Sequence, residues 1–436
     1  MSVHGGVLEL GRAVASLDDH FAAGGGQGLA EAQRRGRAAT IAEVQRAGLR
    51  GRGGGWFPTG IKWQAVASDP CPVRYVVCNA AEGEPATFKD RWLIRRNPYQ
   101  VIEGLAIAAY AIGAERAFIA IKQVFATEVA ILRRALAEME VAEAAGDVPI
   151  EIVTGPDSYL FGEEKAMLEV IEGREPLPRI LPAYRVGPFA RSGSPNPTVV
   201  NNLETLANVP HILRLGAERY RTAGTPQAPG SMVFTLCGDV AAPGVYELPL
   251  GTSLDELING VGGGPPPGRR VKAVFVGASH PILPGDRLDC GLDPEELRAA
   301  GSGLGSGGFT VFDDSTCIVE ATLVFARFLA QESCAQCPPC KTNSLGISAL
   351  LERIQVGEGR ETDLEQLAER CRSVTAGKRC HLPTGEAALV ASALELFRAE
   401  FVAHLGSRCP SPRALTLPRI ADLDEATGEF TYVVGR

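Results

Sequence analysis

Three cysteines spaced three residues apart, Cys334, Cys337 and Cys340 in "ESCAQCPPC" (332–340), constrain this chain more than any other feature. A run this tight brings three thiolates to one centre, so the segments around it must be built about that centre. Thiolates bind soft or borderline metals, which leaves zinc or iron–sulfur. Zinc sites usually present their cysteines as separated pairs. A run with two-residue gaps suits a cubane cluster, in which each iron corner needs its own ligand. The fourth ligand must come from elsewhere. Cys380 in "GKRCHLPTG" (377–385) is the first candidate and Cys371 the second, although Cys371 falls inside an expected helix. His381 could also ligate, but a histidine beside a ligating cysteine more often supports the site from outside it.

The chain of 436 residues holds 11 cysteines. Its start, "MSVHGGVLELGRAVASLDDHF", lacks the basic residues and long apolar run of a secretory leader. No apolar stretch is long enough to span a bilayer; "GLAIAAYAIGA" (104–114) is too short and reads as a buried helix. A cytoplasmic chain with reduced thiols is therefore expected, in which clustered cysteines mean metal or catalysis rather than disulfides. Cys71, Cys78, Cys237, Cys290, Cys317, Cys371 and Cys409 are scattered, and most read as small buried hydrophobes. The formal net charge of −8 argues against a nucleic-acid partner.

The chain changes period along its length. Residues 1–48 read as helical with a Gly-rich break at 22–28, followed by "GLRGRGGGWFPTGIKW" (48–63), too rich in glycine for helix or strand. Strands are expected at 74–80, 116–121 and 149–155, with helices at 98–113 and 126–140. That alternation points to a parallel α/β layer. After a linker at 227–231, strand, turn, strand and short helix (231–258) and a further strand (271–278) resemble a small β-grasp module. From Cys317 onward the period is helical, at 318–333, 344–355, 362–374 and 385–405, the pattern of a four-helix bundle. The expected division is 1–228, 229–316, 317–406 and a tail, 407–436.

Several segments offer binding chemistry. The loop of Gly51, Arg52, Gly53 and Gly54, running on to Gly60 and Lys62, can bring bare backbone amides close to a phosphate or planar ring. "CNAAEGEPATFKD" (78–90) follows an expected strand, and ligands bind at the carboxyl ends of parallel strands. There Asn79 can meet a heterocycle edge, and Glu82 and Glu84 can orient a ribose or polarise a ring. "FGEEKAMLEVIEG" (161–173) adds Gly162, Glu163 and Glu164, and "VVNNLETLANV" (199–209) adds Asn201 and Asn202.

Taken in order, "GLRGRGG", "FPTGIKW", "CNAAEGEP-TFKDR", "GEEKAML--IEG", "NNLETLANV", "PGVYELPLGTSLDELI" and "ESCAQCPPC" resemble the NADH-binding flavoprotein subunit of respiratory complex I. They also resemble its relatives in NAD-reducing hydrogenases and NAD-dependent formate dehydrogenases. The resemblance covers about residues 46–405. It implies a Rossmann-like α/β domain, a β-grasp module of the soluble-ligand-binding type and a four-helix bundle holding a 4Fe–4S cluster. It also implies FMN against Gly51–Gly60, with Lys62 on its phosphate side and Asn202 and Thr205 nearby. Asn79 and Glu82 would meet the isoalloxazine edge, and Phe57 and Tyr184 would flank the adenine or nicotinamide of NAD(H). Glu84 and Glu164 would contact the nucleotide ribose. Cys334, Cys337, Cys340 and Cys380 would hold the cluster.

The function so implied is exchange of a hydride between NAD(H) and FMN, with single electrons passed to the cluster. The partners implied are other iron–sulfur subunits, such as a thioredoxin-like 2Fe–2S subunit, and a hydrogenase, formate dehydrogenase or complex I-like enzyme. The chain departs from the family at Trp56, where a glycine is usual, at Ala81, where an acid is usual, at Gly83, where a serine is usual, and at Leu181, where a lysine is usual. Two other readings stay open: a flavin and iron–sulfur relay serving another donor, and a structural zinc scaffold.

Overall fold

The structure is a computed structural model that describes residues 7, 8, 11, 13–374, 379–409 and 412–433. Its chain divides into two units, one of residues 1–83, 88–234 and 245–252, the other of residues 84–87, 235–244 and 253–436.

The first unit begins with helices α1 (Leu17–Ala22), α2 (Gln27–Arg35), α3 (Arg37–Ala47) and α4 (Thr59–Ala67). Strand β1 (Tyr75–Ala80), helices α5 (Lys89–Arg96) and α6 (Pro98–Ile112), strand β2 (Arg116–Lys122), helix α7 (Ala126–Val141) and strand β3 (Ile150–Gly155) follow. Helix α8 (Glu164–Ile171), strand β4 (Thr198–Asn202), and helices α9 (Leu203–Leu215) and α10 (Ala217–Tyr220) complete it. The sheet order is β3-β2-β1-β4, and every pairing is parallel. Tyr75–Cys78 and Ala117–Lys122 are buried without alternation, as strands covered on both faces must be. The chain leaves β1 for β2 on one side and returns to β4 on the other. The order therefore reverses between β1 and β4, the place where such sheets open a crevice for ligands.

Helix α6 shows how local signals fix an element. The Asn97 side chain accepts from Gln100 N, Pro98 occupies the first turn, and Gly113 ends the helix at φ 67°. Apart from Tyr110 the helix is buried all round. A Cβ on Gly104 would lie 2.0 Å from the Leu206 carbonyl oxygen, so only glycine lets α6 and α9 approach this closely.

In the second unit lie the latter part of β5 (Ser231–Gly238), the start of β6 (Gly244–Pro249), β7 (Val271–Val276), β8 (Leu283–Pro284), α11 (Pro294–Ala299) and β9 (Gly308–Asp313). These strands form a sheet of order β6-β5-β9-β7-β8, in which β5–β9 is parallel and β7–β9 antiparallel. Helices α12 (Ile318–Glu332), α13 (Pro338–Gln355), α14 (Glu361–Ser373), α15 (Leu382–Leu396) and α16 (Arg398–Ala403) follow, then the hairpin β10 (Ile420–Leu423) and β11 (Phe430–Tyr432). Helix α12 packs on α13 and α15, and α14 packs on both α13 and α15. Among the described residues, no helix is long and apolar enough to cross a membrane.

Three expectations about elements are corrected. Thr59–Trp63, taken from its glycines as loop, is the start of α4. Gly60 is there for packing, since a Cβ would lie 2.4 Å from Gln45 Cγ. Helix α13 starts at Pro338, six residues before the periodic stretch, because prolines are tolerated in a first turn whose N–H groups have no intrahelical acceptor. The long last helix breaks at Phe397 into α15 and α16, a break for which the sequence offers no glycine or proline.

Candidate functional site

The glycine loop is closed at its base by backbone bonds from Gly51 N to Phe57 O (3.0 Å) and from Thr59 N to Leu49 O (2.9 Å). Within it Gly54 takes φ 100° and Trp56 φ 53°. The family glycine at position 56 would adopt that left-handed conformation freely, whereas Trp56 carries its strain. Trp56 is nevertheless buried, with the Arg52 guanidinium 5.0 Å from its ring centre. A Cβ added at Gly55 would meet nothing within 4 Å. Phe57 projects into solvent, 56% exposed.

Arg52 works inward. Its backbone N–H donates to Thr205 Oγ1 at 2.8 Å, and its guanidinium donates to the carbonyls of Arg50, Pro229 and Ser231. The loop thus leans on the start of α9. A Cβ on Gly53 would come within 3.1 Å of Asn202 Cβ, so the glycine permits that approach.

The parallel register puts Cys78 opposite Asn201 and Asn79 opposite Asn202. Asn79 Nδ2 donates to Gly162 O at 2.7 Å, which brings the Gly162–Glu163–Glu164 turn to the end of β1. Lys62, from α4, donates to Val200 O at 2.8 Å and to Glu164 at 2.9 Å. Asn201 is occupied otherwise, as acceptor for Trp63 Nε1. Glu163 caps α8 by accepting from Lys165 N and Ala166 N; burial pushes its carboxyl up to about 7 against the pull of Lys165. Four stretches distant in sequence, residues 51–62, 79, 162–164 and 200–205, thus converge at the carboxyl ends of β1 and β4.

Asn202 also joins a buried charge network. Lys89 Nζ contacts Asp90 (2.7 Å), Glu204 (3.0 Å) and Asn202 Oδ1 (3.1 Å), and Asn202 Nδ2 donates to Asp90. Glu82 accepts from Asp90 N and pairs with Arg91 at 2.9 Å. Burial pushes Asp90 up to about 6 although Lys89 opposes it. Sequence reasoning missed Lys89, Asp90, Arg91 and Glu204 as site residues. The adjacent charges of "FKDR" opening a helix were the available signal.

Glu84 falls in the second unit, where its carboxylate accepts from Ala278 N at 2.6 Å. Tyr184 and Leu181 are exposed, and Ala81 is buried.

In the second unit Cys334, Cys337, Cys340 and Cys380 line one cavity together with Ser333, Ala335, Lys341 and Pro383. Ala335 takes φ 56°, a strained turn that bends the run between its first two cysteines. Cys337 caps α13, Cys340 lies one turn in, and Cys380 precedes α15. The hydrogen bond from Cys380 holds Cys334 down at about 6 and raises Cys380 in turn. Lys341 Nζ donates to Ala330 O and Ser333 Oγ, placing a cation beside the thiols. Four thiols around one cavity with a readily formed thiolate fit a thiolate-ligated cluster. Cys371 lies in α14 and does not line it; burial pushes its thiol up to about 12.

Residues 44–211 match the Nuo51 FMN-binding domain, residues 320–404 the NADH-ubiquinone oxidoreductase-F iron–sulfur binding region, and residues 233–279 the SLBB domain. The second NADH-quinone oxidoreductase F subunit of Rhizobium meliloti (strain 1021) is 44% identical over 377 residues, 84% of this chain and 89% of that protein. The NADP-reducing hydrogenase subunit HndC of Solidesulfovibrio fructosivorans is 36% identical over 91% of this chain and 82% of its own. A chain of the NAD+-reducing [NiFe]-hydrogenase solved in the H2-reduced state superposes with a TM-score of 0.79 at 36% identity over 86% of this chain. This chain spans 64% of the length of that one. With an FMN-binding domain, an iron–sulfur binding region and relatives this similar along most of their length, the chain belongs to the family of NADH-quinone oxidoreductase F subunits.

Proposed function

We propose that this chain exchanges electrons with NAD(H) at an FMN seated at the carboxyl ends of β1 and β4. It then passes them singly to a 4Fe–4S cluster held by Cys334, Cys337, Cys340 and Cys380. When bound, FMN supplies the conversion of a two-electron hydride donor into one-electron transfer, and the protein supplies orientation and electrostatics. The observation that carries this reading is the convergence of the Gly51–Phe57 loop, Lys62, Asn79, the Gly162–Glu164 turn and Asn202 at the sheet's order reversal.

The residues take these roles. The bare amides of Gly53 and Gly54 allow close approach of a ring or phosphate. Lys62, held between Val200 O and Glu164, keeps one N–H for an anion. Asn79 and Asn202, fixed by their own hydrogen bonds, offer amide edges to a heterocycle. Glu164 orients Lys62 and lies where a ribose hydroxyl could bond it. Exposed Phe57 and Tyr184 offer ring faces to a dinucleotide. Glu82, tied to Arg91, holds the floor of the site.

The proposed domain division is a flavin domain (1–228), a β-grasp module (229–316), a helical iron–sulfur bundle (317–406) and a tail (407–436). The proposed setting is a larger cytoplasmic oxidoreductase in which further iron–sulfur subunits take the electrons. Purification under nitrogen followed by cofactor analysis and a ferricyanide assay tests this. The expected result is acid-released FMN, about four irons per chain and NADH-dependent ferricyanide reduction. FAD, or no flavin, would overturn it.

A further inference from the structure

A second thiol cluster lies at the other end of α12 from the four-cysteine cavity. Cys317 caps the N-terminus of α12, and its Sγ lies 3.4 Å from His404 Nε2. Cys409 Sγ joins them, all three ligand atoms lying within 4.8 Å of one another. Cys317 and His404 are buried, and Cys409 is partly exposed. Helix α12 has 15 residues, about 22 Å of axial length, and Cys334 lies beyond its far end. The two cysteine groups therefore cannot share a ligand site.

The surroundings are arranged as a ligand set requires. His404 Nδ1 lies 2.7 Å from Glu400 O, so Nδ1–H donates there and the Nε2 lone pair faces Cys317. The Glu400 carboxylate accepts from Ile318 N, next to Cys317, and pairs with Lys272 at 2.7 Å. Further along, Arg413 binds Asp239 and donates to Thr316 Oγ1 at 2.9 Å, and Leu415 N donates to Glu320. Two ligands of a tetrahedral zinc, at Zn–S about 2.3 Å and Zn–N about 2.0–2.1 Å, lie ~3.5 Å apart. The Cys317–His404 separation already matches that value.

We propose that Cys317, His404 and Cys409 bind one zinc ion, with solvent in the fourth position beside half-exposed Cys409. Zinc takes both cysteines as thiolates and releases their protons. Two thiolates and a neutral imidazole match the charge and softness of Zn2+, which is redox-inert. The ion ties the segment after α16 to the start of α12, a structural clamp outside the electron path.

Metal analysis and zinc K-edge absorption on the full cluster-loaded chain test this. The expected result is about one zinc per chain with two sulfurs near 2.3 Å and nitrogen or oxygen completing the shell. Cys409→Ser should lower zinc at least about tenfold while iron and sulfide hold at wild-type levels. Because Cys409 is partly exposed, this variant should fold even if His404→Gln does not. A four-sulfur shell, which would place the zinc in the cluster cysteines, overturns the proposal. So does zinc content unchanged in Cys409→Ser.

Discussion

Lys62 Nζ stands 2.9 Å from a carboxylate oxygen of Glu164 and 2.8 Å from the carbonyl of Val200. The ammonium is thereby pinned over the end of β4 by groups from two other elements, with one donor left. Both side chains of the pair are partly exposed, so the pair itself contributes at most about 1 kcal/mol to stability. Lys62→Ala should therefore leave the unfolding midpoint nearly unchanged. A lost charge-assisted bond to a phosphate costs about 1.5–3 kcal/mol, roughly ten- to a hundred-fold in affinity. Fluorescence titration of flavin-stripped protein with FMN measures this, and unchanged affinity would remove Lys62 from the site.

Trp56 sets strain against burial. Loss of a buried aromatic costs about 3–5 kcal/mol, and relief of a left-handed conformation returns about 1–2. Trp56→Gly should therefore destabilise the chain by roughly 1–4 kcal/mol, and it should also tighten FMN by clearing the loop. Urea unfolding and flavin titration on the same preparation read both effects. A gain in stability would mean that the ring packs far less well than its burial implies.

Glu163 gives a pH dependence with a definite sign. Its carboxyl titrates near 7 in the folded chain against 4.5 when unexcluded from water, because burial disfavours the charge. The folded state therefore holds a proton that the unfolded state has lost between those values. Its contribution is full below pH 4.5 and is lost as pH rises to about 7. Glu163→Gln keeps an acceptor for the α8 cap and should flatten stability over that interval. Urea midpoints at pH 5 and pH 8 check this, and an unchanged difference between them would contradict it.

Much of the site was legible where one segment carries its own chemistry. The Gly51–Gly54 loop, Asn79 and the cysteine run are recognisable within a few residues. What joins them was not, because it depends on pairings across the chain. Lys89 meets Asn202 over 113 residues, and Arg52 N meets Thr205 over 153. Glu82 and Glu84 look equivalent in sequence, but one pairs with Arg91 and the other turns to Ala278 in another unit. Cys317 and Cys409 read as small hydrophobes because nothing near either one in sequence announces the other. Conversely, glycine density hid the start of α4, where Gly60 serves helix packing rather than flexibility.

Cys380→Ser should lose or strongly perturb the cluster, since a serine oxygen is a poor soft ligand. Cys371→Ser should keep it, because Cys371 lies in α14 away from the cavity lining. Iron and acid-labile sulfide analysis separates the two. Iron lost in the Cys371 variant and retained in the Cys380 variant would reassign the fourth ligand.

The central claim is that electrons from NADH reach the cluster through the flavin of this one chain. Anaerobic addition of NADH, followed by visible absorption and low-temperature electron paramagnetic resonance on the same sample, tests it most directly. The flavin band should bleach and a reduced-cluster signal should appear in the wild type, while Cys380→Ser should bleach without that signal. If saturating NADH and NADPH both leave the flavin oxidised while dithionite reduces it, the chain does not use a nicotinamide donor and the account fails.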